Sequence, residues 1–161
     1  VPPSECAVLV ALYTSTDGID WRWITEFFLP DDIWNASETT LRFMPDGELI
    51  ALTRPHWIGT SNPPYKNWQW TRIDANLGGP NFIRLPDGAL WASARGRNED
   101  GNSATVLARM TRNSYEPALC LPSGGDCSYP GLVWHDDLLW MTYYSSHEGK
   151  TSIYLARIRL R

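Results

Sequence analysis

The residues of this sequence that could do chemistry stand beside strand ends. Glu38 begins a strand that runs through Phe43, a turn follows, and Arg54 ends the partner strand. In the next unit Arg95 and Arg97 follow an outgoing strand on either side of Gly96, which lets the backbone turn there. Arginine suits the capture of a carboxylate, because its planar guanidinium offers two parallel N–H donors. Arg97 is the preferred partner for such a group, since it sits where the strand opens into Asn98-Glu99-Asp100-Gly101; Arg95 is the alternative. Tyr129 enters a strand just after the loop Ser123-Gly124-Gly125-Asp126. A tyrosine hydroxyl, with a pKa of about 10, is a weak nucleophile and needs a base beside it. Trp57 offers a flat face on which a sugar could stack, and His147 lies in a loop from which it could touch a substrate. Each of these has a plainer alternative: an edge carboxylate, a strand-end arginine paired with an aspartate, a core tyrosine, a loop histidine, a packing tryptophan. No cluster has the spacing of a metal site, and no cofactor is expected.

A repeat positions these residues. Arg42-Phe43-Met44-Pro45-Asp46-Gly47-Glu48-Leu49-Ile50-Ala51-Leu52 lines up with Arg84-Leu85-Pro86-Asp87-Gly88-Ala89-Leu90-Trp91-Ala92, and more loosely with Leu132-Val133-Trp134-His135-Asp136-Asp137-Leu138-Leu139-Trp140-Met141. Each reads as strand, tight turn, strand, and Asp-Gly supplies the positive φ that a two-residue hairpin needs. Further strands are predicted at 68–73, 105–110 and 153–158, and no stretch keeps a helical period. Repeats of roughly forty to fifty residues with three or four strands each read as propeller blades. The predicted fold is therefore all-β: a partial blade at 1–29, then blades at 30–77, 78–119 and 120–161, about three and a half four-stranded blades in all.

Near the N-terminus a strand at 9–13 leads into Ser15-Thr16-Asp17-Gly18-Ile19-Asp20-Trp21. This Ser-x-Asp-Gly-x-x-Trp segment resembles the Asp-box turn of sialidase-type propellers. The aspartate bonds amides of its own turn, the glycine takes the strained position, and the tryptophan packs the turn onto the blade. With the blade repeats, nearly the whole chain resembles the C-terminal half of the sialidase-like (BNR-repeat, exo-α-sialidase-type) six-bladed β-propellers. That resemblance implies that Tyr129 is the nucleophile and Glu38 the partner that activates it. It implies too that Arg54 and one of Arg97 and Arg95 belong to a triad binding an acidic sugar's carboxylate. A neutral tyrosine suits a sialic acid, whose own carboxylate at the anomeric carbon would repel an anionic nucleophile; sialidases are the tyrosine exception among glycosidases. Tyr129-Pro130-Gly131 departs from the Tyr-Ser of many sialidases. The family's first arginine and its acid/base aspartate belong to N-terminal blades, and nothing here replaces them.

Composition bounds the alternatives. A length of 161 residues with 43% hydrophobic and 20% charged residues suits a single domain with a buried core. A net charge of -4 argues against a nucleic-acid partner, and no apolar run approaches membrane-spanning length. Val1-Pro2-Pro3-Ser4 has no signal-peptide form, so any targeting segment is expected to be absent or already removed. Cys120 and Cys127 flank a loop that a disulfide could close, which would imply a secreted or periplasmic setting; two free thiols are the alternative. Asn35-Ala36-Ser37 fits a glycosylation sequon. Two functions follow: a glycoside hydrolase, or the C-terminal half of one, and a non-catalytic carbohydrate-binding or assembly propeller. Three to four blades do not close a ring, so the expected partner is a second copy or the remaining blades. Light scattering on the isolated chain should then give a mass above that of one chain, and a monodisperse monomer would contradict it.

Overall fold

The computed structural model describes residues 10–30 and 37–160. Cys6, the strand start at Leu9 and the sequon asparagine Asn35 lie outside the described residues. Among the described residues there is no helix, and the strands form four antiparallel sheets in chain order. The first pairs β1 (Ala11–Thr14) with β2 (Arg22–Glu26). The second runs β3 (Thr39–Phe43), β4 (Leu49–Thr53), β5 (Trp57–Ser61), β6 (Gln69–Arg72). The third runs β7 (Gly78–Arg84), β8 (Leu90–Arg97), β9 (Ser103–Met110), β10 (Tyr115–Cys120). The fourth has three strands rather than the expected four: β11 (Cys127–His135), β12 (Leu138–Ser145), β13 (Ser152–Ile158).

The sheets stack face to face, so both faces of an inner sheet must be apolar. β4 shows the consequence: every residue of Leu49–Thr53 is buried. Ile50 and Leu52 pack toward Phe82 and Ala92 of the third sheet. Leu49 and Ala51 point the other way, toward Leu12 and Phe27 beside the first sheet. The third sheet repeats this, with Trp91 and Leu107 packing against Leu139 and Met141 of the fourth. Among the described residues, the two outermost faces lack such cover. Tyr13 and Trp23, cross-strand partners in the first sheet, are exposed, as are Val133, Ile153 and Leu155 on the fourth.

Three local expectations change. The Pro-Asp-Gly turns are not two-residue hairpins with paired positive φ. Gly47 N–H bonds the Met44 carbonyl at 3.0 Å, Met44 N–H bonds that of Glu48 at 2.7 Å, and only Gly47 is left-handed, at φ 88°. That is a tight turn closed by a glycine bulge, and Gly88 repeats it at φ 92°. Proline explains it, because a ring that locks φ near −65° cannot take the positive φ of a mirror-image turn. The two-residue hairpin is instead at Asp136 and Asp137, with φ of 50° and 56°. In the turn at 15–20, Asp17 Oδ1 does accept the amides of Ile19 and Asp20, at 2.8 and 2.9 Å. Trp21, however, is 62% exposed; hydrogen bonds within the turn hold it, so it needs no ring packed upon it. Finally, Cys120 and Cys127 are free thiols, one exposed and one buried. They face different neighbours, Val106 and Ser145, in different sheets, and the argument for an oxidising compartment falls with the bridge.

The second sheet holds a tight approach that sequence alone conceals. Gly59 on β5 pairs with Trp70 on β6, and a Cβ there would collide with the Trp70 ring. That ring is held from the far side by Phe27 and Trp68. Gly59→Ala should therefore destabilise the chain by about 1–3 kcal/mol through overpacking, read as a lower midpoint in chemical denaturation.

Candidate functional site

The first strands of the last three sheets, β3, β7 and β11, converge side by side. Thr40 Oγ1 donates to the Pro80 carbonyl at 2.8 Å, and Asn81 Nδ2 donates to the Pro130 carbonyl at 2.7 Å. The hairpin turns lie at one end of this bundle. At the opposite end lie the start of β3, the ends of β4 and β8, and the starts of β7 and β11. Antiparallel alternation alone brings those positions together.

Glu38, just before β3, is the centre of that end. Its carboxylate receives Arg54 Nη1 from the end of β4 at 3.2 Å and the Gly79 N–H from β7 at 2.8 Å, both on Oε2. Oε1 accepts the hydroxyl of Tyr129 from β11. Burial works to raise the Glu38 pKa, but the Tyr129 hydroxyl, the Gly79 amide and the Arg54 charge outweigh it and hold the carboxyl below its ordinary value. Tyr129 moves the opposite way: its hydrogen bond to Glu38 and the charge of that carboxylate raise its pKa, against the nearby cations Arg54 and Arg95. At rest the proton thus stays on the phenol. The Arg54–Glu38 pair is part-exposed, 42% and 26% by side chain, and such a pair contributes about 0–1 kcal/mol to stability. Its effect is to orient the carboxylate.

Tyr129 is 59% exposed and sits at φ 50°, a left-handed conformation that costs a bulky residue about 1–3 kcal/mol. Facing irregularities hold it there. β7 slips register between Gly78 and Asn81, and β11 between Ser128 and Gly131. Ser128 Oγ donates to the Gly78 carbonyl at 2.6 Å, while Asn81 clasps Pro130 on the other side. Gly79, at φ 54°, has no room for a side chain, since a Cβ would lie 2.8 Å from Tyr129 Cδ1. Tyr-Pro-Gly now has a reason: Pro130 has no N–H to lose at the bulge. Gly131 lets the ladder resume where a Cβ would come within 2.5 Å of Thr142 Oγ1.

Of the two candidate arginines on β8, Arg95 lies beside Tyr129. It donates to Asp126 Oδ1 at 3.1 Å, and Tyr144, whose ring stacks at 6.1 Å on Tyr129, donates to the same oxygen at 2.8 Å. Burial first, then the bond to Asp126, raises the Tyr144 pKa to about 12. Arg97, two residues on along β8, gives one N–H to the Gly101 carbonyl at 2.9 Å. All three arginines, Arg54, Arg95 and Arg97, line one cavity of about 70 Å³. Two other candidates lie elsewhere. Trp57 is only 2% exposed and packs with Leu29, so it presents no face to a sugar. His147 packs on Tyr154 with ring centroids 4.8 Å apart, its Nδ1 2.9 Å from Ser145 Oγ. Sequence reading missed Asp126, Tyr144, Gly79 and Asn81. The Tyr143-Tyr144 pair and the double glycine at 78–79 were the available signals. Among the described residues, no group of three or more His, Cys, Asp or Glu could hold a metal ion.

No protein-family model matches this sequence, and no curated protein sequence matches it significantly. Solved structures do. A protein of unknown function from Dyadobacter fermentans aligns with 94% of this chain and 45% of its own at TM-score 0.76 and 19% identity. The GH43B protein of the Bacteroides ovatus xyloglucan PUL aligns with 93% of this chain and 34% of its own, at TM-score 0.62 and 15% identity. Xylan β-1,4-xylosidase from Bacillus halodurans aligns with 93% and 35%, at TM-score 0.59 and 14% identity. At such identities the likeness is one of fold: a β-propeller of the kind found in glycoside hydrolases. The enzymes named here are not sialidases, which corrects the family expected from the turn motif. A short turn can recur on any propeller, because it is stabilised by its own hydrogen bonds. The chain spans less than half the length of each of these structures.

The opposed shifts of Glu38 and Tyr129 have opposite signs in pH. Glu38 is lowered, so its contribution to stability is full above the unfolded value near 4.5 and is lost as pH falls through the lower folded value. Tyr129 is raised, so its contribution is full below 10.0 and is lost as pH rises through the higher folded value. Glu38→Gln should return the Tyr129 titration toward that of an ordinary tyrosine. NMR of ring-labelled tyrosine, with Tyr129→Phe to assign the signal, would measure it; an unmoved titration would contradict the pairing.

Proposed function

We propose that this chain supplies one side of a glycoside-processing site on a propeller of the glycoside-hydrolase type. In this reading Tyr129 is the nucleophile, Glu38 its base, and Arg54, Arg95 and Arg97 the cradle of an acidic sugar, as in sialidases. One observation carries it: an exposed tyrosine, held in a strained backbone, has its hydroxyl on a carboxylate that an arginine orients. A structural tyrosine needs neither the strain nor the exposure.

The chemistry is retaining hydrolysis. Tyr129 Oη forms a bond to the anomeric carbon while its proton passes to Glu38, and the bond from that carbon to the leaving oxygen breaks. Because the phenol keeps its proton at rest, transfer accompanies attack rather than preceding it. The leaving oxygen takes a proton from an acid that further blades would have to supply. Water, deprotonated by a base, then attacks the anomeric carbon, the bond from that carbon to Tyr129 Oη breaks, and the phenolate takes back the proton held by Glu38. The exposed apolar residues on the two outermost sheet faces favour further blades, from the same or a second chain, as the partner that brings such an acid. Each Å² of apolar surface so covered contributes about 25 cal/mol.

A second reading, binding without turnover, is favoured by how fully Glu38 is engaged. A carboxylate satisfied by three donors is a weak base. An aryl glycoside of an acidic sugar distinguishes the two, since it needs little leaving-group protonation. Tyr129→Phe should abolish any hydrolysis of it while leaving binding in place. Arg54→Ala should weaken binding by about 1.5–3 kcal/mol for each charged hydrogen bond lost. Binding with no hydrolysis by the unmodified chain, alone or with its partner, would leave only the second reading.

A further inference from the structure

The arginine cavity does not end near Tyr129. It shares Asn76, Gly96 and Arg97 with a larger cleft of about 550 Å³. That cleft lies between the second and third sheets, where Arg72 at the end of β6 and the segment 73–76 face β8, β9 and β10. Its volume is that of a small-molecule site, whose usual range is about 300–1,000 Å³. Ile73, Val106, Tyr115 and Pro117 give it apolar surface, and Arg72, Asp74, Asn76 and Arg97 give it polar groups. Such a mixture suits a sugar ring, which has both an apolar face and a rim of hydroxyls.

The charges narrow the ligand. Over the whole chain acidic residues outnumber basic ones, 18 to 14. Along the two joined cavities the balance inverts: Arg54, Arg72, Arg95 and Arg97 line them, with Asp74 the one carboxylate. Positive charge gathered in a cleft of an otherwise negative protein concentrates anions there. Arg54 and Arg95 are already turned to Glu38 and Asp126 at the Tyr129 end. Arg72 lies outside that group, at the end of β6, two strands out from Arg54 in the same sheet, where a single acidic sugar at Tyr129 gives it nothing to bind. A ligand carrying a second negative charge, one sugar further along, does.

We infer that the cleft holds the second unit of an acidic oligosaccharide whose first unit sits at Tyr129, with the anionic group of that second unit meeting Arg72. Asn76, at the junction of the two cavities, stands beside the linkage. The inference rests on the reading of the Tyr129 site given above, and the test separates the two. Isothermal titration would compare N-acetylneuraminic acid with its α-linked dimer on the unmodified chain. The dimer should bind about tenfold more tightly, the gain of one charged hydrogen bond. Arg72→Gln, at an exposed position, should erase that advantage and leave the affinity for the monomer unchanged, while Arg54→Ala should weaken both sugars. Equal affinity for monomer and dimer, or a dimer advantage that survives Arg72→Gln, overturns the cleft assignment alone. If neither sugar binds, the acidic-sugar reading of the Tyr129 site falls and the cleft assignment falls with it.

Discussion

The arrangement at the functional end depends on one carboxylate. Glu38 accepts hydrogen bonds from Arg54 in its own sheet, from the Gly79 amide in the next, and from Tyr129 in the one after. Much of the contact between stacked sheets is apolar, which fixes distance but not register, and the Thr40–Pro80, Ser128–Gly78 and Asn81–Pro130 bonds each tie only two neighbouring sheets. A single anion bonded to three consecutive sheets sets their mutual registration to within a hydrogen bond's tolerance. It also ties electrostatics to geometry: the donors that align the strands are those that lower the Glu38 pKa and raise that of Tyr129.

That contact demands backbone that ordinary strands do not supply. A regular β11 would turn Tyr129 away, because side chains alternate across a strand. Facing bulges in β7 and β11 solve this by spending a residue on each side, and they are β-bulges in their usual place beside a site. The strain at Tyr129 is met by Ser128 and Asn81, which fasten the residues before and after it to β7. Gly79 completes the fit by omission, since any side chain there would collide with Tyr129. The geometry around Tyr129 is therefore a property of two strands together, not of the tyrosine.

Charge is distributed with the same economy. Three arginines gather in one small cavity, and two of them are balanced by carboxylates that also orient them, Glu38 for Arg54 and Asp126 for Arg95. Cations so close repel one another, and the paired acids reduce that repulsion. This is why the cavity can be cationic in a chain that is acidic overall.

The sequence by itself determined the all-β fold and the strand order. Short apolar runs and Pro-Asp-Gly turns are local, and local chemistry suffices to make hairpins. It also pointed to Glu38, Arg54 and Tyr129, through their resemblance to sialidase segments, and antiparallel strands of similar length explain why the three meet at the same end. Tertiary structure alone decided the rest. Whether Trp57 meets solvent or the core depends on what packs over it, and it is covered. Which β8 arginine reaches Tyr129 depends on where the third and fourth sheets meet, and Arg95 is nearer. Asp126, Tyr144, Gly79 and Asn81 are ordinary loop and strand residues in sequence. They gain a role only where β7 and β11 approach closely enough for a hydroxyl, an amide and a missing Cβ to matter, and no period or motif encodes a distance between strands about fifty residues apart.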